Sequence, residues 1–362
     1  MREVVHIITT IERGGAENQL LILVREQVAQ GLKVSVVPLK GRVELLEELT
    51  SAGAFVDLCL SNKPIGTQVL IIRKLVSSEK LFHAHLPRAE LLVALSGSTN
   101  FVFSRHNTEP FFPRAPRTLS KVLSRFVTLR ANRGIAISQA VRSYLIESGE
   151  ISRHFRIDVV LYGIPDRAEI DLLRVQQLKR ELNFSNSDFI VGTVARLAPQ
   201  KDLSTLLRAF SLIHVNFPSA RLIIIGAGPD REILTKQALK LGVSEEIIWV
   251  GRTSEVYEFL SLMDVFVLTS LYEGFGLVLI EAMVANCPIV AARNSAIPEV
   301  LGSEHLGLSE TSFAQDFAKK ISAVLVGETR EKILAQQALR IPLFNPREMS
   351  QKIFEIYREI SP

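Results

Sequence analysis

Glu273 and Glu281 stand eight positions apart around Gly274-Phe275-Gly276-Leu277 in a chain of 362 residues. The two glycines let a backbone turn tightly and approach a ligand with no Cβ in the way, and the free N–H groups of a helix starting there can face an anion. Carboxylates on both sides of such a turn would repel a bare phosphate, whereas sugar and ribose hydroxyls need acceptors. The combination therefore points to a sugar nucleotide. The plainer alternative is an ordinary strand-to-helix turn in which Glu273 caps the helix and Glu281 is solvated.

Arg196 and Lys201, five residues apart, supply the cations that this turn lacks. An Arg fork grips phosphate oxygens in pairs and Lys adds a point charge, which suits a diphosphate; the alternative is a pair of solvated loop charges. No Asp-x-Asp type of carboxylate cluster is present to hold Mg²⁺ or Mn²⁺, so metal-independent chemistry with no cofactor is expected. Gly226-Ala227-Gly228 hints at a dinucleotide fingerprint, but Arg231 stands where its third glycine belongs, and no ribose-binding acid follows at the expected distance. It reads as a tight turn. His106 follows the apolar Phe101-Val102-Phe103, at a strand end where a histidine is well placed to act. His83 and His85 read as packing and acceptor-side residues, although their spacing could be mistaken for that of metal ligands.

The elements that must hold these residues alternate strand and helix through both halves, the order of parallel α/β sheets. Strands are expected at residues 4–9, 33–38, 81–83, 100–104, 134–137 and 156–160, then at 189–194, 220–225, 247–250, 265–268 and 288–291. A break at Leu161-Tyr162-Gly163-Ile164-Pro165-Asp166 divides an N-terminal domain, 1–165, from a C-terminal domain, 166–345. A last helix, 346–362, is expected to pack back on the first domain. Two Rossmann-like sheets joined in this way would leave a cleft at their strand ends, where open α/β folds bind ligands. A hydrophobic content of 47% with 22% charge fits folded globular domains, and the length exceeds what one core usually supports.

The pattern resembles the glutamate, seven residues, glutamate signature of the family 4 retaining glycosyltransferases, enzymes of the two-domain GT-B fold. The likeness runs nearly end to end. Gly14-Gly15-Ala16-Glu17 resembles the family's first glycine loop, His83-Ala84-His85 its histidine pair, and Ser104-Arg105-His106-Asn107 its N-domain histidine segment. Arg196 and Lys201 match its diphosphate clamp, and Gly228, Gly251 and Ile297-Pro298-Glu299 fall in its C-terminal set. The resemblance implies that Glu273, His106, Arg196 and Lys201 carry catalysis. It implies donor binding by Gly14, Gly15, Gly228, Gly251, Gly274, Phe275, Gly276, Leu277 and Glu281, with Glu273 on the sugar and Glu281 on the ribose. The sequence departs from the family where Asn18 replaces a frequent arginine and where Asn294-Ser295-Ala296 replaces a frequent glycine pair.

Charge is shared unevenly. Residues 1–165 hold 21 Lys and Arg against 14 Asp and Glu, whereas the remainder holds 21 against 24. Within the basic half, Arg114, Arg117, Lys121 and Arg125 recur at helical spacing beside Phe111-Phe112. Such a face is either solvated or drawn to an anionic membrane surface. No run of eighteen apolar residues is present, the N-terminus reads as a first strand, and Cys59 and Cys287 are too few for a disulfide framework. The expected location is the cytoplasm, peripheral at the inner face of the membrane. The expected reaction moves a sugar from a nucleoside-diphosphate sugar to a hydroxyl of a glycan or lipid-linked glycan in surface polysaccharide synthesis, with retention and without any role for nucleic acid. A nucleotide-sugar 2-epimerase of the same fold and a non-catalytic membrane or partner-binding protein are the alternatives.

Overall fold

A computed structural model describes residues 3–77, 79–165 and 170–360. The chain divides into two compact units, Met1–Ile164 together with Phe344–Pro362, and Pro165–Leu343. Asp166, the last residue of the break read from the sequence, lies outside the described residues.

The first unit is built on β1 (Glu3–Ile8), β2 (Lys33–Pro38), β3 (Phe55–Val56), β4 (Lys80–His85), β5 (Phe101–Arg105), β6 (Arg133–Ala136) and β7 (Ile157–Val159). Every pairing is parallel, in the order β3-β2-β1-β4-β5-β6-β7. The second unit holds β8 (Phe189–Val194), β9 (Ala220–Ile225), β10 (Ile247–Gly251), β11 (Val265–Leu268), β12 (Ile289–Ala292) and β13 (Leu308–Ser309), parallel in the order β10-β9-β8-β11-β12-β13. Helices cover both faces of such sheets, so the strands are buried runs of Val, Ile, Leu and Phe rather than alternating ones. β9 reads Ala-Arg-Leu-Ile-Ile-Ile and β11 reads Val-Phe-Val-Leu.

Strand order reverses direction between β1 and β4 in the first sheet and between β8 and β11 in the second. Loops leaving the carboxyl ends of such neighbours diverge to opposite faces and open a crevice, the usual ligand position of open α/β sheets. The helix Gly15–Ala29 follows β1, while Lys201 and Glu273 follow β8 and β11. The helix Pro346–Ile360 belongs to the first unit: Gly163 donates its N–H to Met349 Sδ at 3.1 Å, and the Tyr357 ring is fully buried. Among the described residues, no helix is long and apolar enough to cross a membrane.

Candidate functional site

In the second unit the loop after β8 is fixed before it can present a cation. Ala195 donates its N–H to the carbonyl of Ile225 and Leu197 to that of Ala227, at 2.9 and 3.2 Å. The glycines opposite permit this contact. A Cβ on Gly226 would lie 2.0 Å from the Ala195 carbonyl oxygen, and one on Gly228 would lie 2.2 Å from that of Leu197. Gly251, at φ +81°, accepts the Gly226 N–H at 2.7 Å. The Gly226-Ala227-Gly228 segment is thus a backbone seat for the loop that carries Arg196, whose side chain is exposed.

Lys201 closes that loop. Its carbonyl accepts from Thr269 Oγ1 at 2.8 Å, and its ammonium donates to Glu273 Oε1 at 2.5 Å. Ser270 Oγ donates to the same carboxylate oxygen at 2.6 Å. The pair is largely desolvated, with side-chain exposures of 18% for Lys201 and 8% for Glu273. Both contacts fall on Oε1, and Oε2 takes no hydrogen bond among the described residues. The sequence placed Glu273 on a sugar and Lys201 on a phosphate as separate roles; the fold joins them in one ion pair.

Gly276, at φ +83°, starts the helix Leu277–Val284, a backbone conformation that favours glycine. Phe275 is buried at 2% exposure, whereas Leu277 is half-buried. Glu281 lies in the second turn of this helix, half-buried, and burial pushes its carboxyl up to about 7. Its charge in turn raises the Tyr257 hydroxyl, after burial itself, which marks the two as neighbours. Three non-glycine residues near this loop occupy the left-handed region: Asp202 at φ +42°, Ser295 at +49° and Ser312 at +59°. Ser312 Oγ donates to Asp202 Oδ2 at 2.8 Å, and Asp202 caps the helix Leu203–Asn216. Strain of this kind collects at functional sites.

In the first unit, Gly14 is extended at φ −163°, so its backbone does not require glycine; a Cβ there would lie 2.6 Å from Glu17 Oε2 and would displace the tip of that side chain. Glu17 accepts from Thr10 Oγ1 at 3.0 Å, and burial raises its carboxyl above the usual range. Gly15 is exposed as the first residue of the helix. His106 bonds Tyr162 Oη through Nδ1, while its Nε2 is buried without a partner among the described residues. Burial first and the Arg105 charge second push the imidazole down to about 3, so it is neutral. A cavity of about 20 Å³ adjoins it, lined by Gln19, His85, Ser104, Tyr162 and Met349 among others.

His83 and His85 lie inside the sheet with His6, their ring nitrogens within 4.8 Å of one another. A tautomer assignment accounts for the cluster without a metal. His6 Nε2 meets Gln27 Oε1 at 2.7 Å, an acceptor, so that nitrogen carries the proton and His6 Nδ1 must accept from His85 Nε2 at 2.9 Å. Gln27 Nε2 donates to Tyr357 Oη at 3.3 Å, Tyr357 donates to His83 Nδ1 at 2.5 Å, and His83 Nε2 donates to Ser104 Oγ at 2.7 Å. The chain of bonds runs one way and needs every imidazole neutral. Burial lowers all three, His6 to about 4.

The basic stripe is corrected in two respects. The helix begins at Arg117 after Pro116, so Arg114 precedes it rather than sharing its face. Phe111 is buried against the Arg105 guanidinium, 4.5 Å from the ring centre, and lends nothing to an exposed surface. The exposed apolar residues on the helix that carries Arg117, Lys121 and Arg125 are Leu119, Val122 and Leu129, with Val122 64% exposed. Sequence reasoning gave no role to Ser270, Gln200 and Tyr162, whose contacts run across the fold, and it marked Asn294 and Ser295 only as a departure from a glycine pair.

The architecture has counterparts of known structure. HepE of Anabaena, in complex with UDP and glucose, superposes with a TM-score of 0.85 over 99% of this chain and 100% of that one, at 20% identity. The fold is therefore GT-B, with two Rossmann-like α/β units. Residues 175–340 match the family described as glycosyl transferases group 1, and residues 13–168 match glycosyltransferase family 4. The chain belongs to the family 4 glycosyltransferases. The alpha-monoglucosyldiacylglycerol synthase of Acholeplasma laidlawii is 36% identical over 119 residues, 32% of this chain and 30% of that protein. The capsular polysaccharide biosynthesis glycosyltransferase CapM of Staphylococcus aureus is 26% identical over 205 residues, 55% of this chain and 54% of its own length. The matched stretch thus spans about half the length of these relatives or less.

Proposed function

We propose that the protein transfers a sugar from a nucleoside-diphosphate sugar to a hydroxyl acceptor, with retention at the anomeric carbon and without a metal. The observation that carries this reading is the desolvated Lys201–Glu273 pair at the switch point of the second sheet, beside Arg196 and the helix start at Gly276. Glu273 Oε2 accepts a donor-sugar hydroxyl. Arg196, Lys201 and the helix N–H groups stabilise charge growing on the leaving diphosphate, the largest kind of term available to such a site. The leaving phosphate oxygen takes the acceptor's proton as the new bond forms on the same face. Glu281 accepts from the ribose. A relative named for capsular polysaccharide and another named for a glucosyldiacylglycerol support a glycan or lipid-linked acceptor.

Calorimetry with UDP, GDP and ADP tests this. One of the three should bind, and its affinity should rise with pH through about 7, since Glu281 loses its proton there and becomes a full acceptor. Glu281→Gln should flatten the profile and cost about 1.5 to 3 kcal/mol, the range for a hydrogen bond to a charged group. Turnover should survive EDTA. A protein that binds none of the three nucleotides is not a transferase of this kind.

The acceptor proposal carries a surface expectation. Arg114, Arg117, Lys121 and Arg125 are exposed, and the last three share a helix with exposed Leu119, Val122 and Leu129. Each cation near an anionic bilayer is worth about 1 kcal/mol. Replacing all four with Glu should abolish co-sedimentation with phosphatidylserine vesicles while leaving nucleotide binding intact. Wild-type binding should weaken as salt rises, because the attraction is screened over roughly 8 Å at physiological ionic strength. Wild-type protein that ignores these vesicles at low salt makes the stripe a solvated face.

A further inference from the structure

We propose that Ser295 is a positioning residue for Glu273, fixing the site loop through a side-chain bond that its own strained backbone makes reachable. Ser295 sits at φ +49°, where glycine is at ease and a side chain is not. A serine held there must contribute something glycine cannot. Its hydroxyl donates to the Glu273 carbonyl at 2.7 Å. The preceding residue does the same at the other end of the segment: Asn294 Nδ2 donates to the Ser270 carbonyl at 3.0 Å and to Thr311 Oγ1 at 2.9 Å. One two-residue turn therefore holds both ends of 270–273.

The middle of the segment is held from the opposite side. Leu271 donates its N–H to the Gln200 carbonyl at 2.8 Å, and Gln200 Nε2 donates to the Tyr272 carbonyl at 2.9 Å. Lys201, the next residue after Gln200, pairs with the Glu273 carboxylate. The carboxylate is thus aimed by its backbone, and the backbone is aimed by Gln200 on one side and by Asn294 and Ser295 on the other. Lys201 and Ser270 hold the carboxylate of Glu273, and the Ser295 bond holds its backbone carbonyl. A displacement near 1 Å at a reacting group is worth about a hundredfold in rate, so a bond that touches no substrate can still govern turnover.

The inference rests on the reading of Glu273 as the sugar-holding group, and the experiment separates the two. Ser295→Gly removes the hydroxyl and relieves the backbone; Ser295→Ala removes the hydroxyl and keeps the strain. Amide hydrogen exchange over 271–276 should quicken in both, and by about tenfold or more, the range over which local opening is read. Ser295→Gly should melt close to the wild type. With whichever of a panel of UDP-, GDP- and ADP-sugars yields free nucleotide, kcat should drop by about ten- to a hundredfold in both variants while the Kd of the free nucleoside diphosphate holds. If only the backbone shape mattered, Ser295→Gly would exchange and turn over as the wild type does, and the proposal would be overturned. Glu273→Gln is the control: full turnover in that variant overturns the site reading and the proposal with it, whereas a slow Glu273→Gln beside a normal Ser295→Gly overturns the proposal alone.

Discussion

Glu273→Gln lowers kcat by about 10² to 10³, the cost of removing one preorganised electrostatic contact from an enclosed site, and leaves the affinity for free nucleoside diphosphate near that of the wild type. The expectation follows from the proposed split use of the carboxylate: Lys201 and Ser270 bind one oxygen, and the other is proposed to accept from a sugar hydroxyl. Lys201→Met acts differently. It strands a carboxylate that is 8% exposed, so it costs stability as well as donor binding, on the order of 2 kcal/mol after allowing for the solvent that still reaches Lys201. The double variant should regain part of that stability, because a neutral amide does not need the ammonium; residues in direct contact couple by about 0.5 to 3 kcal/mol. Denaturant melts of the four proteins and their kcat/KM values measure both effects. Simple additivity would show that the pair is a surface contact, and a near-normal kcat/KM in either single variant removes that residue from the mechanism.

Acid is expected to unfold the first unit before the second, in which burial lowers His305 to about 4. Four imidazoles of that unit, His6, His83, His85 and His106, are held neutral, with His6 lowered to about 4 and His106 to about 3. A histidine whose folded value is depressed contributes stability that is fully present above its unfolded value, about 6.5, and is lost as pH falls toward the folded value. For His6 the loss is on the order of 3 kcal/mol at about 1.4 kcal/mol per unit. Two groups oppose it. Burial raises Glu17, and it raises Glu90 to about 7 beside Arg105, so their contribution is largest in acid and fades as pH rises. Four histidines outweigh two carboxyls. Native-state hydrogen exchange at pH 7.5 and pH 5 should show strands β1 and β4 losing protection while β8 and β9 hold. Tyr357→Phe, which cuts the bond chain between Gln27 and His83, should cost roughly 1 to 3 kcal/mol at neutral pH and move the acid transition upward. Equal protection of β1 at the two pH values would show that the cluster takes up protons without opening.

Much of the architecture lies in local patterns. β2, β8, β9 and β11 occur where β-branched runs place them, because a strand buried on both faces must be a continuous apolar stretch, which is visible in one dimension. β3 and β13 escape such reading: each has two residues, and two residues carry no period. The glycine turn at 274–276 is legible for the same local reason, since its conformation depends on residue type at adjacent positions.

What the sequence by itself determined was which residues are chemically able to act: the acid pair, Arg196 and Lys201, the glycine turns and the alternation that puts them after strands. Only the tertiary structure decided who meets whom. Lys201 and Glu273 are 72 positions apart and share a proton-donor contact because β8 and β11 are neighbours in the sheet. His6 and His85, separated by 79 positions, become one bond chain with Tyr357 because β1 pairs with β4 and the last helix returns to the first unit. Phe111 reads as a surface aromatic beside a basic helix until its neighbours are known, and those neighbours, Arg105 and Glu150, take its ring and its N–H inward. Hydrogen bonds and ion pairs act over about 3 Å of space. Separation along the chain carries almost no information about distances that short until the strands are in register.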